Sequence, residues 1–177
     1  MNTEFEIRVL EVNTEEIIEK LEKLGALKIG EYNQKRYVYD IIPACNGKWV
    51  RLRTNGEKTT LAYKDVVSDT IDGTKEIEFE VSDFDEAKEF MKRIGINYRS
   101  YQENKRIQYL LDGVEIDIDT WPMIPTYMEI EGKSEEQVNK MMDILEVDKS
   151  KVTALNCDDI YNEIYKIDIH DIKELKF

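Results

Sequence analysis

The chain has 177 residues, a net charge of −13 and a single histidine, His170. The acidic balance opposes general binding to DNA or an anionic membrane surface, because the summed field repels polyphosphate at long range; one His and two distant cysteines, Cys45 and Cys157, supply neither a Ser-His-Asp relay nor a zinc site. With no apolar run of about 18 residues, no basic-then-apolar leader and no disulfide spacing, the expectation is one domain over residues 1–177 in a reducing cytoplasm, able to bury its own core.

Glu4-Phe5-Glu6-Ile7-Arg8-Val9 alternates charged and apolar residues with period two, as a strand with one wet and one dry face does. Glu4 and Glu6 then stand on one side of the pleat about 6–7 Å apart and repel unless a cation lies between them. Asn13 precedes acids and an apolar stripe, Ile17, Ile18, Leu21 and Leu24, that stops at Gly25; this predicts a capped amphipathic helix. Leu27 to Ile42 reads as one long or two bent strands ending at Pro43. Trp49 to Thr54, Asn55-Gly56 and Lys58 to Val66 predict a hairpin with a tight turn, Arg51 and Arg53 sharing one face.

Lys75 to Val81 repeats the acid alternation through Glu76, Glu78 and Glu80, and Asp83 caps a helix running to Gly95. Ile96 to Leu111 is an extended strand with Lys105 and Arg106, turned by Asp112-Gly113 into the acid-striped Val114 to Asp119. The connector Trp121 to Pro125 leads to Tyr127-Met128-Glu129-Ile130-Glu131-Gly132. Ser134 to Gln137 is a capping box opening a further helix, and a last helix is expected over 158–166, before a tail without a clear pattern.

Two arrangements satisfy these stripes. In an open sheet the charged faces are solvated; in a closed barrel they line the interior, and the apolar faces lie outside under the helices, giving each helix stripe a partner. A barrel interior holding Glu4, Glu6, Glu76, Glu78, Glu80, Asp117, Asp119, Glu129 and Glu131 against Arg8, Arg51, Arg53, Lys64 and Arg106 needs counter-ions. Oxygen-only donors suit Mg²⁺ or Mn²⁺, and Arg and Lys suit phosphate oxygens. The pattern therefore admits a metal-assisted polyphosphate site beside the plainer reading of a polar sheet.

The opening Glu-x-Glu-x-basic strand, Arg51-x-Arg53, Lys64 in Leu61-Ala62-Tyr63-Lys64, the Glu-rich strand, a basic residue before an Asp strand, and Glu129-Ile130-Glu131 together resemble the CYTH or triphosphate tunnel metalloenzyme family. The resemblance implies an α+β fold, a closed eight-stranded antiparallel β-barrel with flanking helices, a divalent metal (Mg²⁺ or Mn²⁺) and a small triphosphate-containing substrate. It implies Glu4, Glu6, Glu78, Asp119 and Glu129 as metal ligands, and Arg8, Arg51, Arg53, Lys64, Lys105 and Arg106 on the phosphates. Arg8, Lys64 and Arg106 are also the catalytic candidates. Arg8 stands where the family has Lys and is a poor general base; Asn104 stands where it often has Lys, which leaves Lys105 either outside or brought inward by a bulge. The activities implied are hydrolysis of a triphosphate or adenylyl cyclisation of the class IV type; a non-catalytic polyphosphate- or nucleotide-binding module is the alternative from another class. A homodimer is compatible with all three.

Overall fold

Strict alternation forces a choice of faces, and in the computed structural model, which describes residues 1–177, the charged face turns inward. Eight strands carry it: β1 (Asn2–Val9), β2 (Leu27–Asp40), β3 (Lys48–Thr54), β4 (Thr59–Val66), β5 (Thr74–Val81), β6 (Ser100–Leu111), β7 (Val114–Thr120) and β8 (Tyr127–Gly132). They run in the order β6-β2-β3-β4-β5-β1-β8-β7, and β7 pairs back onto β6. Every one of these pairings is antiparallel, so the sheet closes into a barrel and the open polar sheet is excluded.

The apolar faces point outward and are covered by helices. Helices α1 (Thr14–Lys23) and α3 (Glu135–Ile144) lie over β1, β6, β7 and β8. Leu21, Val138, Met141 and Leu145 pack there on Ile7, Ile116, Ile118, Met128 and Ile130. Helix α2 (Phe84–Arg93) sets Met91 against Tyr37, Tyr39 and Leu52 on β2 and β3. The expected caps are present: Asn13 and Asp83 each accept two first-turn N–H groups, and Ser134 accepts from Gln137. Gly25 (φ 77°) and Gly95 (φ 88°) follow α1 and α2 in the left-handed region that releases a chain from a helix.

Local turn chemistry agrees at one hairpin and differs at another. Asp112 (φ 51°) and Gly113 (φ 78°) make the two-residue turn between β6 and β7, where Leu111 pairs with Val114. Between β3 and β4 the loop holds four residues, since Thr54 pairs with Thr59. There Asn55 Oδ1 accepts the N–H groups of Glu57 (2.9 Å) and Lys58 (2.7 Å), so its side chain builds the turn and only Gly56 takes positive φ (94°). Strand β2 is one long strand with an irregularity between Lys28 and Gly30.

The C-terminal segment is ordered beyond the helix expected over 158–166. A two-residue β9 (Val152–Thr153) pairs with β1. The expected helix is instead a short α4 (Cys157–Asp159) running into a π-helical turn (Ile160–Ile164), and β10 (Glu174–Leu175) lies parallel to β6. Ile160, Tyr161, Ile169 and Leu175 bury themselves against Trp121, Ile124 and Tyr127, so the tail forms a wall at the barrel end holding the β7–β8 connector. No helix is long and apolar enough to cross a membrane. Tyr161 is fully buried and donates to Pro122 O at 2.5 Å. Tyr161→Ala is expected to lower stability in urea by about 3–5 kcal/mol, the range for emptying a buried aromatic site.

Candidate functional site

Period-two alternation brings the inward residues of all eight strands around a cavity of about 540 Å³. Its lining is dominated by charge, acids and bases interleaved across neighbouring strands, with a carboxylate cluster on β1 and β8. On β1 and β8, Glu6, Glu129 and Glu131 place carboxylate oxygens within 4.8 Å of one another. Cross-strand register explains this: Glu6 pairs with Glu131, and Arg8 pairs with Glu129.

Arg8 lies between Glu6 (2.9 Å) and Glu129 (2.7 Å) and also donates to Leu155 O (3.0 Å). Burial opposes its charge, but Glu129 and Glu6 outweigh burial and hold the guanidinium well above its ordinary pKa. Burial likewise opposes ionisation of Glu129, yet Arg8, Arg106 and Lys64 bring it down to about 2. Glu131 has no such cation. Burial, with Glu129 and Glu6 adding to it, pushes it up to about 8. The cluster thus carries more carboxylates than the neighbouring cations satisfy, all of them oxygen donors, which fits a hard divalent cation. On β7, Asp117 is raised to about 7 by burial first and by Asp119 and Glu129, against the pull of Arg106; its Oδ1 is buried without a partner.

Cations line the facing strands. Arg51 reaches Glu76 (3.2 Å) and Glu78 (2.9 Å), Arg53 reaches Glu78 (3.4 Å), and Lys64 reaches Glu4 (2.8 Å) and Glu76 (3.3 Å). Arg106 on β6 binds Asp117, Asp119 (2.5 Å) and Glu129 (3.4 Å). Arg53 is lowered to about 9, by burial and then by Arg51, Arg106 and Arg36. A guanidinium whose charge is disfavoured by neighbouring guanidinia marks a place with unmet positive charge.

Ten of the residues chosen from sequence meet inside the barrel: Glu4, Glu6, Arg8, Arg51, Arg53, Lys64, Glu78, Arg106, Asp119 and Glu129. They divide differently from the expected sets. Glu4, Glu78 and Asp119 hold cations of the wall, whereas Glu6 and Glu129 join Glu131 in the carboxylate cluster. Lys105 is a correction: it is exposed on the outer face, with its ammonium 4.7 Å from the Phe177 ring centre. No bulge interrupts β6 there, because Lys105 and Arg106 pair in unbroken register with Thr120 and Asp119, so alternation turns Asn104 inward and Lys105 out. Arg36 lines the cavity and was not picked out from sequence, since it sits singly among the tyrosines of β2. Glu131 was legible only as the i+2 neighbour of Glu129.

A closed antiparallel barrel enclosing interleaved acids and bases defines a charged-tunnel protein. The chain belongs to the CYTH family, matching the CYTH domain over residues 1–156. Among solved structures, a conserved hypothetical protein from Pyrococcus furiosus is 22% identical, with 88% of this chain and 98% of that one covered and a TM-score of 0.75. An adenylate cyclase candidate from Vibrio parahaemolyticus is 13% identical, with 91% and 98% covered and a TM-score of 0.77. A Hippeastrum protein described as an adenylyl cyclase candidate with a dominant triphosphatase activity is 13% identical, with 94% and 97% covered and a TM-score of 0.58. No curated protein matches the chain.

The carboxylate cluster sets a pH dependence. Below the ordinary carboxyl pKa, Glu131 is protonated in both folded and unfolded chains; from there up to about 8 the folded chain keeps a proton that the unfolded chain releases. Its contribution to stability is therefore lost as pH rises through about 8. Metal-free protein is expected to lose urea stability between roughly pH 5 and 8, and Glu131→Gln to flatten that loss. An equal slope in both proteins would show that this carboxyl titrates normally.

Proposed function

We propose that the chain is a divalent-metal-dependent triphosphatase, hydrolysing inorganic tripolyphosphate or an organic triphosphate inside the barrel. The observation that carries this reading is the facing of a cluster of three carboxylates, Glu6, Glu129 and Glu131, by a wall of Arg51, Arg53 and Lys64 across one cavity. A polyanion fits the basic wall, and a hard cation fits the cluster. The CYTH family and the triphosphatase activity described for the Hippeastrum protein support the same reading.

Glu6, Glu129 and Glu131 would hold Mg²⁺ or Mn²⁺, which supplies Lewis-acid charge to phosphate oxygens and to the attacking water. The side chains provide position and charge. Arg51 and Arg53, two residues apart on one face of β3, would each offer a guanidinium fork to phosphate oxygens. Arg106 and Lys64 approach from β6 and β4. Arg8 stays charged at any working pH, so it neutralises developing charge and does not move a proton. In-line attack of water on the terminal phosphorus would break its bond to the bridging oxygen, with the shortened chain as leaving group; one water proton stays on the orthophosphate formed and the other passes to the departing chain.

Cyclisation of ATP would use the same charged frame with a ribose hydroxyl as nucleophile, and it also needs a pocket for the base. Charged and polar side chains dominate the cavity, which favours hydrolysis. Incubation with tripolyphosphate, thiamine triphosphate and ATP, each with Mg²⁺ or Mn²⁺, is expected to release orthophosphate. Cyclic AMP as the main product from ATP would overturn the hydrolase assignment, and tight binding without turnover under any divalent metal would leave a binding module. Glu6→Gln and Arg53→Ala are each expected to lower turnover by about 100-fold or more while the circular dichroism spectrum is unchanged, the scale of losing one charge-stabilising group. Activity retained in both would remove the tunnel as the site.

A further inference from the structure

The cations of the cavity are not equivalent. Arg8, Arg51, Arg53, Lys58, Lys64 and Arg106 each meet at least one carboxylate at ion-pair distance. Arg36, 7% exposed and on the same lining, meets none. Its Nη2 donates to Gln34 Oε1 (3.0 Å) and Asn104 Oδ1 (2.5 Å), both neutral amides, and its Nε is buried with no partner. The guanidinium carbon lies 4.5 Å from the centre of the Trp121 ring. The amides and the indole face fix the orientation of the fork, and no carboxylate lies at ion-pair distance to neutralise it.

Register sharpens the point. Arg36 on β2 is directly opposite Arg53 on β3, and both face the cavity. Like charges directly opposite each other destabilise a sheet, and a buried cation without a counter-charge is costly. Arg36 is lowered to about 10, by burial and then by Arg51, as expected of a cation in such surroundings. Asn104 bridges the arrangement: its Oδ1 accepts from Arg36 while its Nδ2 donates to Asp119 at 3.0 Å. In the barrel order, β2 and β3 lie across from β1 and β8, so the two arginines face the wall that holds the carboxylate cluster.

We propose that Arg36 and Arg53 form an anion subsite that takes a phosphoryl group directly, without a divalent cation, and that Arg36 is a phosphate-binding residue of this chain. The identity of the anion rests on the triphosphate reading above; the demand for an anion rests on the unpaired guanidinium alone.

Calorimetric titration of tripolyphosphate into the whole protein in excess EDTA tests this, with wild type, Arg36→Gln and Arg36→Lys compared. Wild type is expected to bind. Arg36→Gln is expected to bind at least about 10-fold more weakly, the scale of one lost charge-assisted hydrogen bond, and Arg36→Lys to recover part of the loss. Without ligand, the Gln variant is expected to melt no lower than wild type, because it removes a buried charge that has no carboxylate at ion-pair distance and lies opposite Arg53. Equal affinity of wild type and Arg36→Gln overturns the subsite, as does absence of binding in EDTA. A Gln variant that melts lower or fails to fold overturns it too, since the guanidinium would then be part of the free protein's own stability. The triphosphatase reading fails separately: protein that binds tripolyphosphate in EDTA through Arg36, yet turns over no triphosphate with Mg²⁺ or Mn²⁺, keeps the subsite and loses the hydrolase.

Discussion

Everything in this structure depends on the mutual neutralisation of charge inside a closed barrel. Closure removes sheet edges and turns one face of every strand inward, away from bulk water. Glu6, Arg8, Lys64, Asp117, Asp119 and Glu129 are all buried there. Such groups are costly unless paired, because stranding a single buried charge costs more than a lost surface contact. The barrel meets this through cross-strand register, which sets Arg8 beside Glu129, Lys64 beside Glu76 and Arg106 beside Asp119. The folding free energy comes largely from the other side of the same strands. There Ile7, Ile116, Ile118, Met128 and Ile130 bury themselves under α1 and α3, each fully buried side chain contributing roughly 1.5–3 kcal/mol. Period two thus serves both needs at once, with apolar residues outward for stability and charged residues inward for the site.

This division explains what was legible in the sequence. Alternation is a local property, so the strands β1, β3, β5, β7 and β8 and their charged stripes can be read directly, and the i, i+2 spacing of Glu4 with Glu6 or Arg51 with Arg53 fixes a shared face. Caps are local too, and Asn13, Asp83 and Ser134 do what their positions announce. Whether the sheet closes is not local. The density of acids and bases on the striped faces, and a barrel's provision of a partner for each helix stripe, admit closure, and the family resemblance implies it.

The remainder was hidden because it depends on neighbours in space. Arg36 follows the pleat of β2 as plainly as Arg51 follows that of β3, but a single Arg among tyrosines shows no stripe; what sets it apart is that no carboxylate lies at ion-pair distance, a property of neighbours in space. From sequence Glu131 is one of several acids that a barrel would turn inward, and the structure raises its pKa to about 8 because it is buried, with Glu129 and Glu6 beside it and no cation paired to it. Lys105 was ambiguous until the register of β6 on β7 proved continuous. The tail shows no regular period, and its order comes from a pocket built by Trp121, Ile124 and Tyr127, residues more than thirty positions earlier in the chain.

The ion pairs of the free protein also shape what binding involves. Arg51, Lys64 and Arg106 are each held by carboxylates already, so a polyanion reaches them only by competing with Glu76, Glu78, Glu4 or Asp119. On the triphosphate reading, every arginine that turns to a phosphate releases a carboxylate, and every released carboxylate strengthens the hold on a cation. Metal and substrate then favour one another through exchange of partners inside a fixed barrel, and such coupling is reciprocal: whichever binds first raises the affinity for the second. Arg36 stands outside this exchange because it has no carboxylate to release. On that reading Arg36 is where a phosphoryl group would displace no ion-paired carboxylate, and it lies across the cavity from the acid cluster where the cation would sit. An anion seated first at Arg36 and Arg53 would open its pairs with the remaining arginines one after another, so that the acid wall becomes fully available to a cation only as the basic wall fills.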